Sequence, residues 1–204
     1  FYTYKELSNT SINNLYYDSE KYLWAAARNG IYKFNRLKDT FNLISQGYIN
    51  KIQEDSGEIY FLMVSSIFKI SEGTIELVFN GSNINDFIIT KEGIWIASSS
   101  AGVALLGRQS NFKRIVKSYL QNRILTKICK VDDNILIAGF GGQLFYITTD
   151  GEAKEIFINE NHYFINKIVK IGEEIWLATD GNGIIVLNKD LIFSRILEKG
   201  EKNE

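Results

Sequence analysis

One pattern returns five times along this chain: an Ile-Asn-x-apolar segment, a short acidic or glycine-containing turn, an apolar segment often built around Trp, a small-residue turn, and an Ile/Val-rich segment. The openings are Ile12-Asn13-Asn14-Leu15, Ile49-Asn50-Lys51-Ile52, Ile84-Asn85-Asp86-Phe87, Leu125-Thr126-Lys127-Ile128 and Ile165-Asn166-Lys167-Ile168. A second landmark follows each of them, at Trp24, Tyr60, Trp95, Leu136 and Trp176, successively 36, 35, 41 and 40 residues apart. A period near 40 with several short strands per copy marks a propeller blade, whereas helical repeats of that length would carry apolar residues every three or four positions. No stretch of the chain has that helical spacing.

Within a copy the strands separate clearly. In the fifth, Ile165 to Ile171 alternates apolar and polar residues, Gly172-Glu173-Glu174 turns, Ile175 to Thr179 is apolar nearly throughout, Asp180-Gly181-Asn182-Gly183 turns again, and two further strands run Ile184 to Leu187 and Ile192 to Leu197. Alternation suits a strand with one wetter face, and a continuous apolar run suits one buried on both faces between neighbours. Each copy is therefore a four-stranded antiparallel meander that needs neighbours to cover it. The expected fold is an all-β, single-domain β-propeller over 1–204, with blades at about 12–45, 49–79, 84–117, 125–158 and 165–197 and an additional outer strand at 1–7. A spare strand at each end suggests a chain that continues past Glu204. A five-bladed ring and part of a larger propeller both stay open, since propellers run from about four to eight blades.

Composition narrows the function classes. With 45% hydrophobic and 13% aromatic residues there is ample material for one core. A net charge of −1 with interspersed signs supplies no basic field for nucleic acid. No apolar run approaches about 18 residues, so a membrane would be reached only through parts outside this chain. Cys129 stands alone in a first strand, where a buried inert thiol is expected.

No catalytic constellation emerges. His162 is the one histidine, which excludes a His-rich metal site. The acidic turns Asp18-Ser19-Glu20, Glu54-Asp55-Ser56-Gly57, Asp132-Asp133-Asn134 and Glu173-Glu174 lack the spacing of a calcium loop and read as hairpin turns that bond their own backbone. Gly139-Phe140-Gly141-Gly142 is glycine-rich but enters a strand rather than a helix, so it is a turn and not a phosphate cradle. Neither metal nor cofactor is expected. The tryptophans occupy equivalent places in the second strands, which points to packing between blades rather than sugar stacking.

Candidate binding residues come instead from the loops that a propeller gathers at one mouth. The loops joining fourth to first strands hold Tyr48, Arg123, His162 and Tyr163; those joining second to third strands hold Arg28, Asn29, Ser99, Phe140, Asp180 and Asn182. Aromatic, amide and a few charged groups around a funnel suit a polyhydroxylated or mildly anionic ligand.

The run Asp18-Ser19-Glu20-Lys21-Tyr22-Leu23-Trp24-Ala25-Ala26-Ala27-Arg28-Asn29-Gly30-Ile31-Tyr32-Lys33-Phe34-Asn35 resembles the two-component regulator propeller repeat, whose pattern is roughly Asp-Ser-x-Gly-x-apolar-Trp-apolar-Gly-Thr-x-x-Gly-apolar-Tyr-x-apolar-Asp. Ile175 to Ile184 repeats the match and Gly93 to Ser98 does so more loosely. Ala26 and Ala97 replace the usual Gly, and Tyr60 and Leu136 the usual Trp. The opening Tyr2 to Ser8 followed by Ser11 to Asn14 is similar to the start of the sensor region in hybrid two-component histidine kinases. This resemblance implies a periplasmic, non-enzymatic input domain that responds to oligosaccharides, with pairing of two chains left open. It also implies more repeats than five, which favours the larger-propeller reading. Two alternatives remain: a protein-interaction scaffold, and a lyase similar to the streptogramin-inactivating lyases, which would need His162 as its base.

Overall fold

The computed structural model describes residues 4–158 and 163–198. Blade one consists of β1 (Ile12–Tyr17), β2 (Leu23–Ala27), β3 (Gly30–Asn35) and β4 (Thr40–Gln46). Blade two follows with β5 (Ile49–Asp55), β6 (Glu58–Met63), β7 (Ser66–Ser71) and β8 (Thr74–Asn80). In blade three stand β9 (Ile84–Ile89), β10 (Gly93–Ser98), β11 (Gly102–Gly107) and β12 (Ile115–Tyr119). Blade four holds β13 (Leu125–Val131), β14 (Asn134–Gly139), β15 (Leu144–Ile147) and β16 (Ala153–Ile156). The fifth is built of β17 (Ile165–Ile171), β18 (Glu174–Thr179), β19 (Ile184–Leu187) and β20 (Phe193–Leu197). Every sheet is an antiparallel meander in chain order, so the chain is a five-bladed β-propeller of four-stranded blades.

The repeat landmarks become the packing between blades. The second strand of one blade sends alternate residues against the first and second strands of the next. Trp24 and Ala26 meet Ile49, Ile52 and Phe61; Tyr60 and Leu62 meet Ile84, Phe87 and Ile96. Trp95 and Ala97 meet Leu125, Ile128 and Ile137, and Leu136 and Ala138 meet Ile165, Ile168 and Leu177. Trp24 and Trp95 are accordingly buried, in agreement with a packing role, while Trp176 at the far end is half-buried. Three of the five landmarks give their polar edge to a carboxylate at or beside the first hairpin turn: Trp24 Nε1 donates to Asp18 (2.7 Å), Trp176 Nε1 to Glu174 (3.1 Å), and Tyr60 Oη to Glu58 (3.1 Å). Where strand three opens, Gly102 and Gly183 sit at φ +71° with carbonyls at the end of strand four pressed close, and a Cβ there would meet Leu120 O, just past β12, or Leu197 O at 2.3 Å.

Inner strands pack β1 on β5, β5 on β9, β9 on β13 and β13 on β17. Among the described residues no buried cluster joins blade five back to blade one. Ile12 and Leu15 are 40% and 59% exposed, whereas their repeat equivalents Ile49 and Ile52 are 0% and 2% exposed.

The N-terminal segment differs from expectation. Lys5–Leu7 winds as a 3-10 turn instead of an outer strand, and residues 1–3 lie outside the described residues. Tyr4 and Leu7 pack on blade one, where the Tyr4 ring stands edge-on to Phe34 and Phe41 at 5.5 and 5.2 Å. The fifth blade draws its fourth strand from β20, which pairs with β19. An aromatic cluster therefore holds the segment down through ring contacts, which require no strand.

Candidate functional site

The Ile-Asn-x-apolar opening of each copy starts the innermost strand, and four of the five inner strands slip register at its second residue. The shift falls between Ile12 and Asn14, Ile49 and Lys51, Leu125 and Lys127, and Ile165 and Lys167; in β9 the pairing likewise skips Asn85. A bulge leaves one residue unpaired and re-aims its side chain. Both the second and third residues of the motif thereby line the same central cavity, of about 690 Å³. Asn13, Asn50, Asn85, Thr126 and Asn166 supply the second position, and Asn14, Lys51, Asp86, Lys127 and Lys167 the third.

An inner strand is a sheet edge with unpaired peptide groups, which must find partners. The motif provides them across the blade boundary. Asn13 Nδ2 donates to Ile49 O (2.8 Å) and Asn85 Nδ2 to Leu125 O (2.6 Å). Asn14 Oδ1 accepts from Ile52 N–H (3.1 Å), and Asp86 Oδ2 accepts from Ile128 N–H (3.0 Å). Asp86 also receives Lys51 Nζ on Oδ1 at 2.6 Å, so one carboxylate links blades two, three and four. The recurring polar pair is thus first of all a staple between blades.

The mouth is organised by a second repeated bond. In every blade the first residue after strand two donates its N–H to the loop before strand one: Arg28 to Ser11 (2.9 Å), Val64 to Tyr48 (3.1 Å), Ser99 to Asn83 (3.0 Å), Phe140 to Ile124 (2.8 Å) and Asp180 to Phe164 (2.9 Å). These two loop sets therefore share one end of the cavity. Of the residues singled out from sequence, Tyr48, Ser99, Phe140 and Asp180 line it. Ser99 Oγ accepts from Asn85 Nδ2 at 2.5 Å, and Phe140 stands edge-on to Phe164 with centroids 5.9 Å apart.

The others part from that group. Arg28, Asn29 and Asn182 are exposed on their turns but do not line the cavity, and Arg123 lies over the Phe145 ring at 5.9 Å. Tyr163 is only 8% exposed and belongs to the core between blades four and five beside Ile158, while the adjacent Phe164 takes the place at the mouth instead. His162 lies outside the described residues. Sequence reasoning passed over the inner-strand residues themselves. Their signal was the invariant polar second position, but strict alternation places positions two and three on opposite faces, and only the bulge brings them together.

The cavity's charge is uneven. Lys51, Lys127 and Lys167 face it with Asp86, while Asp180 stands at the mouth. Lys167 is exposed at the cavity wall, and its ammonium is held below the ordinary lysine range by desolvation first and then by Lys51 and Lys127, with Asp86 opposing. Cys129 on the same inner strand as Lys127 is half-buried, and burial pushes its thiol above the usual range. Among the described residues, no three His, Cys, Asp or Glu side chains converge as metal ligands would. What the arrangement offers is an open cavity with amide, hydroxyl and ammonium groups at its wall and aromatic faces at its rim.

No family model matches the sequence, and no curated protein matches it. Solved structures share the fold. Virginiamycin B lyase from Staphylococcus aureus is 19% identical with a TM-score of 0.72, over 90% of this chain and 69% of that one. A catalytically inactive His-to-Ala form of that lyase, with Quinupristin, is 19% identical with a TM-score of 0.77, over 95% and 72%. The extracellular domain of the putative hybrid two component system from B. thetaiotaomicron is 18% identical with a TM-score of 0.75; the match covers 92% of this chain but only 30% of that domain. At these identities the likeness is one of fold.

Proposed function

We propose that this chain is a non-enzymatic ligand-sensing propeller of the extracytoplasmic part of a two-component system, and that it takes an oligosaccharide in its central cavity. The observation that carries the reading is the cavity wall: all five blades contribute amide, hydroxyl or ammonium groups to about 690 Å³, with Tyr48, Phe140 and Phe164 at one end. Sugars are recognised by such a combination of hydrogen-bonding groups and aromatic faces. Membership of the two-component regulator propellers and a periplasmic location belong to this proposal. The fold shared with an extracellular domain of a hybrid two-component system, and the repeat pattern around Trp24 and Trp176, support both.

Thermal unfolding against a panel of plant and host oligosaccharides tests it, since a ligand at about 100 times its Kd adds roughly 2.7 kcal/mol of stability. A selective rise in Tm that Tyr48→Ala and Phe140→Ala reduce is the expected result. A flat panel sinks the sensing reading and turns attention to the scaffold alternative, in which the outer blade surfaces bind a protein.

The likeness to virginiamycin B lyase favours a second reading, in which His162 serves as a base. Incubating the chain with quinupristin and following its mass distinguishes the two. The sensor proposal expects no turnover, and turnover that His162→Ala abolishes would overturn it.

A further inference from the structure

The third motif position does not have one role throughout the ring. Asn14 and Asp86 accept an N–H from the following blade, as the staple requires. A lysine ammonium has no acceptor, so Lys51, Lys127 and Lys167 cannot make that bond. Lys51 is neutralised by Asp86, whose other oxygen is already taken by Ile128 N–H. Lys127 and Lys167 make no ion pair among the described residues. Two adjacent blades thus direct unpaired ammonium groups into one protein-walled cavity, beside the amide of Asn166 and the hydroxyl of Thr126.

Like charges gathered on the wall of one concave site repel one another and focus their field on the space between them. The fold tolerates this arrangement although neutral side chains would avoid the repulsion. An anion placed between the two would remove it and would receive charge-assisted hydrogen bonds. We propose that the wall formed by Lys127 and Lys167 is an anion subsite, which receives a carboxylate or sulfate group of the ligand. This rests on the sensing reading for the rest of the ligand and makes it more specific: the preferred saccharides are acidic, uronate-bearing or sulfated.

The first measurement uses sulfate and citrate ions, so that it does not depend on the saccharide. Thermal unfolding is followed while each replaces chloride at constant ionic strength, for the wild type and for the Lys127→Gln/Lys167→Gln variant. Without either ion the variant melts no lower than the wild type, because the change removes repulsion and leaves the Asn and Asp staples intact. A saturable rise in Tm with both ions in the wild type, absent from the variant, supports the subsite; equal rises in the two proteins overturn it.

The second measurement titrates trigalacturonate, its methyl ester and a sulfated disaccharide. An acidic sugar binding about tenfold more tightly than the ester, with the difference lost in the variant, supports the proposal and shows which anion is preferred. Ester and acid binding alike overturns the subsite but leaves the sensing reading in place. A response to citrate or sulfate with no saccharide bound keeps the subsite and overturns the saccharide reading.

Discussion

Asp86 shows how one side chain can hold several blades. Its carboxylate meets the Lys51 ammonium at 2.6 Å and the Ile128 N–H at 3.0 Å, and its side chain is only 10% exposed. Asp86→Ala leaves a charge and a peptide donor without partners, and we expect a loss of about 2–4 kcal/mol in denaturant unfolding. Asp86→Asn keeps an acceptor oxygen and should lose less; equal losses would remove the peptide bond from the explanation. A second carboxylate sets a pH dependence. Lys69 at 2.7 Å holds the Glu58 carboxyl below the usual range, with Tyr60 Oη also donating to it. A carboxylate depressed in the folded state contributes stability that is complete above its unfolded pKa and is lost as pH falls through the folded value. Melting temperatures on the acid limb should therefore fall less steeply for Glu58→Gln than for the wild type, while a parallel pair of curves would exclude the pair as a contributor.

At the level of elements, the second strand is the unit that packs one blade on the next. Trp95 is buried in the junction of blades three and four and stacks on Tyr119 at 5.9 Å, whereas Trp176 at the equivalent place is half-buried under Arg195. Trp95→Ala should cost about 3–5 kcal/mol by leaving a cavity. Trp176→Ala should cost less than half of that, because among the described residues no blade closes over it, and equal costs would show that the fifth blade's outward face is covered. Both tryptophans were legible from the repeat. The N-terminal segment was not: a run such as Tyr2-Thr3-Tyr4 has strand-like composition, but its described part is placed by the Tyr4 ring against Phe34 and Phe41, a contact 30 residues and more along the chain. Tyr163 was misplaced for a related reason, since a loop aromatic points to the mouth or to the core according to the neighbouring blade.

For the whole molecule, stability should follow the sequence of junctions. Each blade touches its neighbours in turn, and a repeat array of that kind behaves as a sum of units and nearest-neighbour interfaces. Blade three has a buried cluster on both sides and wholly buried second and third strands. Among the described residues, blade five has such a cluster only towards blade four. Amide hydrogen exchange should be slowest in β10 and β11 and fastest in the fourth strands β16 and β20. Uniform protection across the five blades would mean that the molecule opens as one unit and would defeat this picture.

The amino-acid sequence by itself determined the unit and its number. Strand-length apolar runs, turn residues and a period near 40 dictate five meanders that cover one another, because local backbone preference and the need to bury both sheet faces act within and between adjacent copies. Tertiary structure alone decided the cavity. The bulge in each inner strand overrides the two-residue alternation and brings neighbouring motif positions to one wall, and the curl of the blades then sets Lys51, Asp86, Lys127 and Lys167 around a common space. Charges from four separate copies acquire their meaning only through that proximity, since electrostatic interaction depends on distance in space and not on separation along the chain.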